Sequence, residues 1–505
     1  MIITQPVAAG MDTDVHALVR VPWEDLSAKD IARVHATIAH HHDAIGHIED
    51  EIGALAQTIA RLRTRQRAHQ AALGEARALL SAARRVPADV LADIIQYCVG
   101  AGWWRAPRVL ARLNSAWLQA SRAPRVWATL YADAEDEEVL PRTRFWLRKA
   151  RGCPLDITLR TSAQEHATAA VMRMLGAHAG QIRRLSVDTA SVDEAELVLS
   201  RCPPRMEALE FLKIATQGLG PSDADQGMLF RDAFEHSPRL RTLHLTSDML
   251  TPFVSFPATI ETLKWTLSAV PVNMIGFTQA LLTVVFPALP MLAEFNFEVD
   301  TIPWDEDLWE QRSGEIQVCA LDRLHTLRLH VPPHLNVILD KLSCPALSSL
   351  TLSSSQGSDA IPHADTGMAL INLLARSTPP IALLSLYDVD LTDAAFLACF
   401  KLLPGLEDLR LHWSDITVET IGELARSLCP QLTHLDLRWC SHLEGGALVD
   451  LVRTRQRSIM GEPVRAIEEI AILNCPVVEE QAVLELAGLT VCRVTLRPQD
   501  DPCRA

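Results

Sequence analysis

The stretch "LCPQLTHLDLRWCSHLEGGAL" (428–448) places two cysteines, two histidines and a tryptophan close together. Its reading decides whether the protein carries a metal or redox centre or is built from a repeated unit. The apolar spacing answers first. Leu432, Leu435 and Leu437 follow the pattern Φ-x-x-Φ-x-Φ, two residues after Pro430. With the proline, the pattern recurs at Pro204/Met206/Leu209/Phe211, Pro238/Leu240/Leu243/Leu245, Pro290/Leu292/Phe295/Phe297, Pro345/Leu347/Leu350/Leu352, Pro379/Ile381/Leu384/Leu386 and Pro404/Leu406/Leu409/Leu411. Without it, the pattern recurs at Ile182/Leu185/Val187, Ile260/Leu263/Trp265, Leu324/Leu327/Leu329, Ile467/Ile470/Ile472 and Val491/Val494/Leu496.

These twelve units start 20 to 35 residues apart, the spacing of irregular leucine-rich repeats with loop insertions. The period-two end of each unit predicts a short strand, and connecting segments such as "VETIGELARSL" (418–428) have helical spacing. One strand and one helix cannot bury a core, but stacked neighbours can. The expected fold is an α/β solenoid whose parallel sheet curves because its helical side is bulkier. Cys440 and Cys475 lie eight positions after Leu432 and Ile467, where such repeats normally place an Asn or Cys bonded to the backbone of the turn. Cys153, Cys202, Cys344, Cys429 and Cys475 each precede a proline, where the chain turns toward extended geometry. No CxxC occurs and the count of eleven is odd. A disulfide framework or zinc ribbon is therefore not expected, and a reducing compartment, cytoplasmic or nuclear, is.

Composition agrees. The 505 residues exceed one ordinary domain, and 48% hydrophobic residues suffice for a sizeable core. A net charge of −15 argues against a nucleic-acid partner. No membrane partner is expected either: the N-terminus lacks a basic region followed by an apolar core, and "LLTVVFPALPML" (281–292) is short and broken by proline.

From Ile31 a heptad runs with a positions Ile31, Ile38, Ile45, Ile52, Ile59, Gln66, Leu73 and Leu80, and d positions Val34, His41, Ile48, Leu55, Leu62, His69, Ala76 and Ala83. This is a coiled-coil signature, which implies self-association or packing on a partner or on the repeats. Its histidines at 40, 41 and 42 point in different directions along a helix and do not converge on a metal. The arginines at 61, 63, 65 and 67 form a solvated face.

The segment "RRVPADVLADIIQYCVGAGWWRAPRVLARLNSAWLQASRAPRVWATLY" (84–131) reads as short helices. Pro87 starts the first, Val90, Leu91, Ile94 and Ile95 form its apolar face, and Val109, Leu110, Leu113 and Trp117 belong to a second. It resembles the F-box, whose pattern is roughly L-P-x-E-[IVL]-[IL]-x-x-I, a gap, V-C-[KR]-x-W and a final [PR]-x-L-W. Pro87, Leu91, Ile94, Trp117, Pro124 and Trp127 fall on matching positions. Val86 stands for the usual leucine, Asp89 for glutamate and Leu113-Asn114 for Val-Cys. The order of heptad helix, F-box and repeats resembles the expanded F-box families of mushroom-forming fungi. The resemblance implies docking on the Skp-type adaptor of a cullin–RING ubiquitin ligase through Val86, Pro87, Val90, Leu91 and Ile94, with Trp117 and Trp127 holding the helices together. A bland alternative is a helical cap on the first repeat.

The expected organisation is a tail (1–26), a coiled-coil helix (27–83), an F-box-like segment (84–131), a linker helix (132–152) and the repeats (153–505). The acidic run Asp133–Glu138 reads as a solvated turn, "LDITLR" (155–160) as a first strand, and "SSSQGSDAIPHADT" (353–366) as a loop. Strand alternation turns Thr326, Arg328 and His330, then Asp408, Arg410 and His412, then His434, Asp436 and Arg438 away from the core. They form a mixed-charge patch suited to an acidic or phosphorylated peptide of a target protein, unless the charges pair with one another. No GxSxG, P-loop, HExxH or Rossmann motif occurs, so no catalytic residue, metal or cofactor is expected. The function implied is substrate recognition for a ubiquitin ligase. The alternative is a coiled-coil and repeat scaffold unconnected with ubiquitin.

Overall fold

The computed structural model describes residues 21–80, 86–161, 165–203, 205–216, 237–246, 257–267, 278–299, 317–354, 364–389, 391–458 and 464–495. They fall in two compact units, Met1–Val90 and Leu91–Ala505. Most of the expected tail (1–20), the seam residue Ala83, Pro204 and the centre of the Ser/Gly/Pro insertion (355–363) lie outside the described residues.

The first unit is dominated by α1 (Ala28–Leu80), a helix of 53 residues, about 80 Å long at 1.5 Å per residue. Ser27 caps it, its Oγ accepting from Asp30 N at 3.2 Å. The heptad seam lies in water: Ile38, Ile45, Ile48, Ile52, Leu55, Ile59 and Leu62 are each 49–60% exposed. Among the described residues no helix is long and apolar enough to cross a membrane.

The unit boundary falls within α2 (Ala88–Gly100). Two short helices follow, α3 (Ala106–Leu110) and α4 (Ser115–Ala120). The rest alternates strands with helices or turns. Fourteen strands form one parallel sheet in the order β1-β2-β3-β4-β5-β6-β7-β9-β11-β12-β13-β14-β15-β16. They are β1 (Thr129–Asp133), β2 (Leu155–Arg160), β3 (Ile182–Thr189), β4 (Phe211–Thr216), β5 (Thr242–Thr246), β6 (Thr262–Leu267), β7 (Glu294–Val299), β9 (Thr326–His330), β11 (Ser349–Ser353), β12 (Leu383–Tyr387), β13 (Asp408–His412), β14 (His434–Arg438), β15 (Glu469–Leu473) and β16 (Val491–Thr495). The two-residue β8 (Cys319–Ala320) and β10 (Leu342–Ser343) pair separately. Sequential parallel neighbours joined through helices are the topology of an α/β solenoid.

Period-two alternation accounts for the core. Leu435 and Leu437 of β14 align with Leu409 and Leu411 on one side and Ile470 and Ile472 on the other, and all six are buried. Ten of the twelve expected units have this register, and two are shifted. At β4 the buried pair is Leu212 and Ile214, aligned with Leu185 and Val187, so the unit runs Leu209/Leu212/Ile214 and Phe211 faces outward. There Phe211 takes Arg184 over its ring at 4.1 Å and His244 edge-on at 4.9 Å. At β16 Cys492 and Val494 align with Ile470 and Ile472, and Val491 is exposed. In both places an outward apolar residue satisfies the same spacing, and sheet pairing selects the other register.

The sheet also starts earlier than the repeat pattern. β1 pairs with β2 from Thr129↔Asp156 to Asp133↔Arg160, and α5 (Val139–Ala150) connects them. The helix expected as a linker is thus the crossover of the first strand pair.

Repeats are joined on the helical side by side chains that reach back along the stack. Arg455, on the helix Gly445–Ser458, is completely buried. Its guanidinium donates to Leu424 O (2.9 and 2.7 Å), Leu428 O (2.7 Å), Cys429 O (3.1 Å) and Leu432 O (3.2 Å), where the helix Val418–Arg426 ends. Burial pushes its pKa down to about 10, still charged at neutral pH. Arg376 does the same for Leu339 O and Leu342 O. Carbonyls that a helix end leaves without donors are satisfied in this way.

Candidate functional site

Two surfaces carry the residues singled out by the sequence. On the helical segment, Asn114 caps α4, accepting from Ala116 N (2.9 Å) and Trp117 N (3.2 Å), a role that explains Asn at this place. Trp117 and Trp127 are buried. Trp127 donates Nε1–H to Ser121 O at 2.6 Å and meets Trp146 and Phe145 of α5 edge-on at 4.9 and 5.3 Å. Trp127 therefore ties the segment to the first crossover, and Trp117 and Trp127 are both buried rather than presented at the surface.

Leu91, expected on the docking face, is turned into the core. It is 1% exposed and belongs to the core with Ala92, Ile95 and Val99, whereas Ile94 is 40% and Tyr97 79% exposed. α2 is apolar around most of its circumference, so its spacing leaves the buried face undetermined, and packing chose it. Val90 is exposed and shares a helix face with Ile94; Val86 is half-buried and Pro87 exposed. Val109 of α3, Leu118 of α4 and Leu113, in the turn that separates these two helices, are exposed as well.

The acidic run beside it is more than a solvated turn. Asp136 accepts from Glu138 N (2.9 Å) and from the buried Arg142 guanidinium. Those bonds hold its carboxyl below the usual range. Arg142 and Arg105 in turn flank Trp104, 4.8 and 4.6 Å from its ring centre.

On the sheet, the outward residues of β13 and β14 are direct neighbours: Asp408↔His434, Arg410↔Asp436 and His412↔Arg438. β9 is separated from them by β11 and β12, about 14 Å at the usual strand spacing. Arg328 and His330 therefore stand apart. Arg328 pairs with Glu294 at 2.6 Å, and His330 Nδ1 meets Ser353 Oγ at 2.8 Å.

The arginines of the central pair are held by their own strands. Arg410 reaches Asp408 (2.6 Å) and Arg438 reaches Asp436 (2.7 Å), each two residues back on the same face. Hydrogen bonding to these carboxylates raises both guanidinium pKa values. Burial pulls Asp436 upward, but His412 and Arg438 outweigh it and hold its carboxyl at about 2. Each aspartate occupies the Nε/Nη2 edge of its arginine, so a phosphate would compete with it for that edge.

The sequence reading missed an aromatic ledge at the ends of these strands. Tyr387 meets His412 edge-on at 4.3 Å, His412 is 6.5 Å from Trp439, and Trp413 and Trp439 stack at 5.1 Å with ring planes 6° apart. His412 Nε2 lies 3.7 Å from Asp436 Oδ2. Asp388, Trp413, Trp439 and Asn474, one residue beyond four successive strands, all have left-handed backbone, with φ between 52° and 54°. Aspartate and asparagine tolerate that region, and tryptophan rarely occupies it. The ladder compels it: Trp413 N donates to Arg438 O (2.8 Å) and Trp439 N to Leu473 O (2.9 Å). The detectable signal was Trp at the same place in consecutive units, seven residues after Leu406 and Leu432.

The cysteines have structural partners. Cys440 Sγ donates to Leu411 O (3.6 Å) and Cys475 Sγ to Leu437 O (3.6 Å), each tying a turn to the preceding strand. Burial pushes the thiols of Cys344, Cys399 and Cys429 up to about 12, which makes them inert. Among the described residues no group of three His, Cys, Asp or Glu side chains is placed to hold a metal ion.

No protein-family model matches the chain, and no curated protein matches it. Among solved structures it is similar to a chain from the crystal structure of the Rad7 and Elc1 complex in yeast, at 13% identity and a TM-score of 0.36, over 84% of this chain and 97% of that one. At that level the likeness carries no argument about function.

Proposed function

We propose that the chain is a non-catalytic substrate-recognition subunit of an SCF-type cullin–RING ubiquitin ligase, its F-box-like segment docking a Skp-type adaptor and its sheet binding the target. The observation that supports docking is the exposed apolar face of α2, Ile94 and Tyr97 with Val90, on a segment that carries the F-box spacing. Exposed apolar surface of this kind marks a partner site. The target surface is centred on Trp413 and Trp439, with Tyr387, His412 and the Arg410–Asp408 and Arg438–Asp436 pairs around them. Aromatic and arginine side chains dominate binding hot spots. Strain held at a surface position is characteristic of such sites. Arg328 and His330 lie on the same side of the sheet but apart from this centre, on β9, and His434 lies beside Asp408 on β14. The chain does no chemistry in this reading; it raises the effective concentration of a target beside the conjugating enzyme.

The test is a binding titration of the full chain against the host's Skp-type adaptor. Ile94→Asp with Tyr97→Ala is expected to abolish binding, and Trp413→Ala with Trp439→Ala to leave it unchanged. No binding by a folded chain would overturn the adaptor role and leave the scaffold reading.

A further inference from the structure

The seam of α1 is exposed from Ile38 to Ala76, over about five heptads. Gly46, Gly53 and Gly74 weaken the helix on its own, since each glycine costs about 1 kcal/mol against alanine. All three occupy b positions, where nothing lies within 4 Å of a built Cβ. A partner helix over the a/d seam would leave them outside. The seam composition admits a second copy in either direction; the flanking charges separate the directions.

The charges are unevenly placed. Glu49 (e) and Glu51 (g) lie eight and six residues before Gln57, and Arg63 (e) and Arg65 (g) six and eight residues beyond it. In a parallel in-register pair, g meets the following e of the other chain, so Glu51 faces Ala56, Thr58 faces Arg63 and Arg65 faces Gln70. None of these pairs is attractive, and His41 and His69 each stack on their own copies. In an antiparallel pair, e meets e and g meets g. With the dyad level with Gln57, Ile52 packs on Leu62 and Leu55 on Ile59, giving four wholly apolar central layers. The same register sets Glu49 against Arg63 and Glu51 against Arg65, twice each by symmetry. Sliding by one heptad either way destroys all four pairs: Glu49 then meets Ala56 or Gln70, and Glu51 meets Thr58 or Ala72. The remaining flank pairs, His35 with Arg77, Thr37 with Leu79, His42 with Gln70, Ala44 with Ala72, and Ala56 and Thr58 each with itself, set no two permanent like charges together.

We propose that α1 is a homodimerisation helix that pairs with α1 of a second copy in antiparallel orientation, with Ala56 of the two chains meeting at the dyad. Gln66 and His69 then face Ile48 and Ile45 away from the centre, where a polar seam residue costs least.

Single cysteines read the geometry in the full chain. In this register Ala56→Cys places the two thiols across one flank of the seam, and Ile45→Cys separates them by about 36 Å at 1.5 Å per residue. Oxidation is expected to link Ala56→Cys chains through that cysteine, identified by peptide mass, and not Ile45→Cys chains. Glu49→Arg with Glu51→Arg should weaken the dimer about tenfold by sedimentation, four attractions becoming repulsions. Adding Arg63→Glu with Arg65→Glu to the same chain should restore it, because the swapped charges again face opposite signs. A monomer at every concentration, linkage through Ile45→Cys, or a dimer not linked by Ala56→Cys would each overturn the proposal.

Discussion

Arg455→Met is the perturbation whose consequence the structure defines best. The side chain is fully buried and its donors serve four carbonyls, those of Leu424, Leu428, Cys429 and Leu432. Methionine fills much of the volume but donates nothing, so those carbonyls lose a donor where water does not replace it. Cys429 O keeps its bond from Leu432 N; at about 1–2 kcal/mol for each of the other carbonyls, offset in part by no longer burying a charge, the net loss is about 2–3 kcal/mol. In a stacked repeat array the loss falls on the neighbouring interface first. Hydrogen exchange is therefore the assay of choice. Amides of Val418–Arg426 and of the turn through Leu432 should lose about 100-fold in protection, while those of β2 to β7 stay unchanged. Arg455→Lys should recover only part, since one ammonium cannot span four carbonyls. A loss below about threefold for Arg455→Met would refute the argument that these bonds outweigh the buried charge.

Other substitutions separate core from surface. Leu91→Asp should cost about 4 kcal/mol or more by burying a charge, whereas Ile94→Asp, three residues on, should change thermal stability by less than about 1 kcal/mol; equal losses would contradict the assigned faces of α2. Asp436 is held at about 2 against an ordinary 3.8, so it adds stability that is fully present above pH 3.8 and is lost as pH falls through about 2. Solvent screening limits this to about 1 kcal/mol. Thermal midpoints of the natural chain and of Asp436→Asn should converge on acidification from pH 5 to 2; a constant gap would remove the carboxylate's role. Gly445→Ala would set a Cβ 2.5 Å from Ala482 Cβ and 3.3 Å from Val478 Cγ1. The helix Gly445–Ser458 must shift from its neighbour, costing about 1–3 kcal/mol, and a neutral alanine by chemical denaturation would show that the two helices are not in close contact.

Much of the repeat architecture was readable because sheet periodicity is a local property. Leu432, Leu435 and Leu437 announce β14 without reference to any distant residue, and Cys440 announces the turn that follows. The exceptions show where local spacing ends. Leu209, Phe211, Leu212 and Ile214 contain the pattern in two overlapping frames, and Val491, Cys492, Val494 and Leu496 do so again. Pairing with β3, β5 and β15 resolved both. β1 was hidden because "TLYAD" offers one strong apolar residue, Leu130, and becomes a strand by pairing with β2.

For the candidate surfaces the division is sharper. The sequence alone determined which residues leave the core along β13 and β14, since alternation assigns a side chain to a face, and it determined the helical character of α1. It did not determine which apolar face of α2 is buried, that Arg410 and Arg438 pair with Asp408 and Asp436 on their own strands, or that Trp413 and Trp439 stack. The tryptophan stack joins residues 26 positions apart whose distance is set by strand registry, not by the chain between them, and each arginine, though two residues from its aspartate, has the facing residues of the next strand as competing partners. Periodicity is written in the backbone geometry of each segment; burial, charge pairing and stacking are decided when neighbouring repeats meet, because only then do the competing partners have positions.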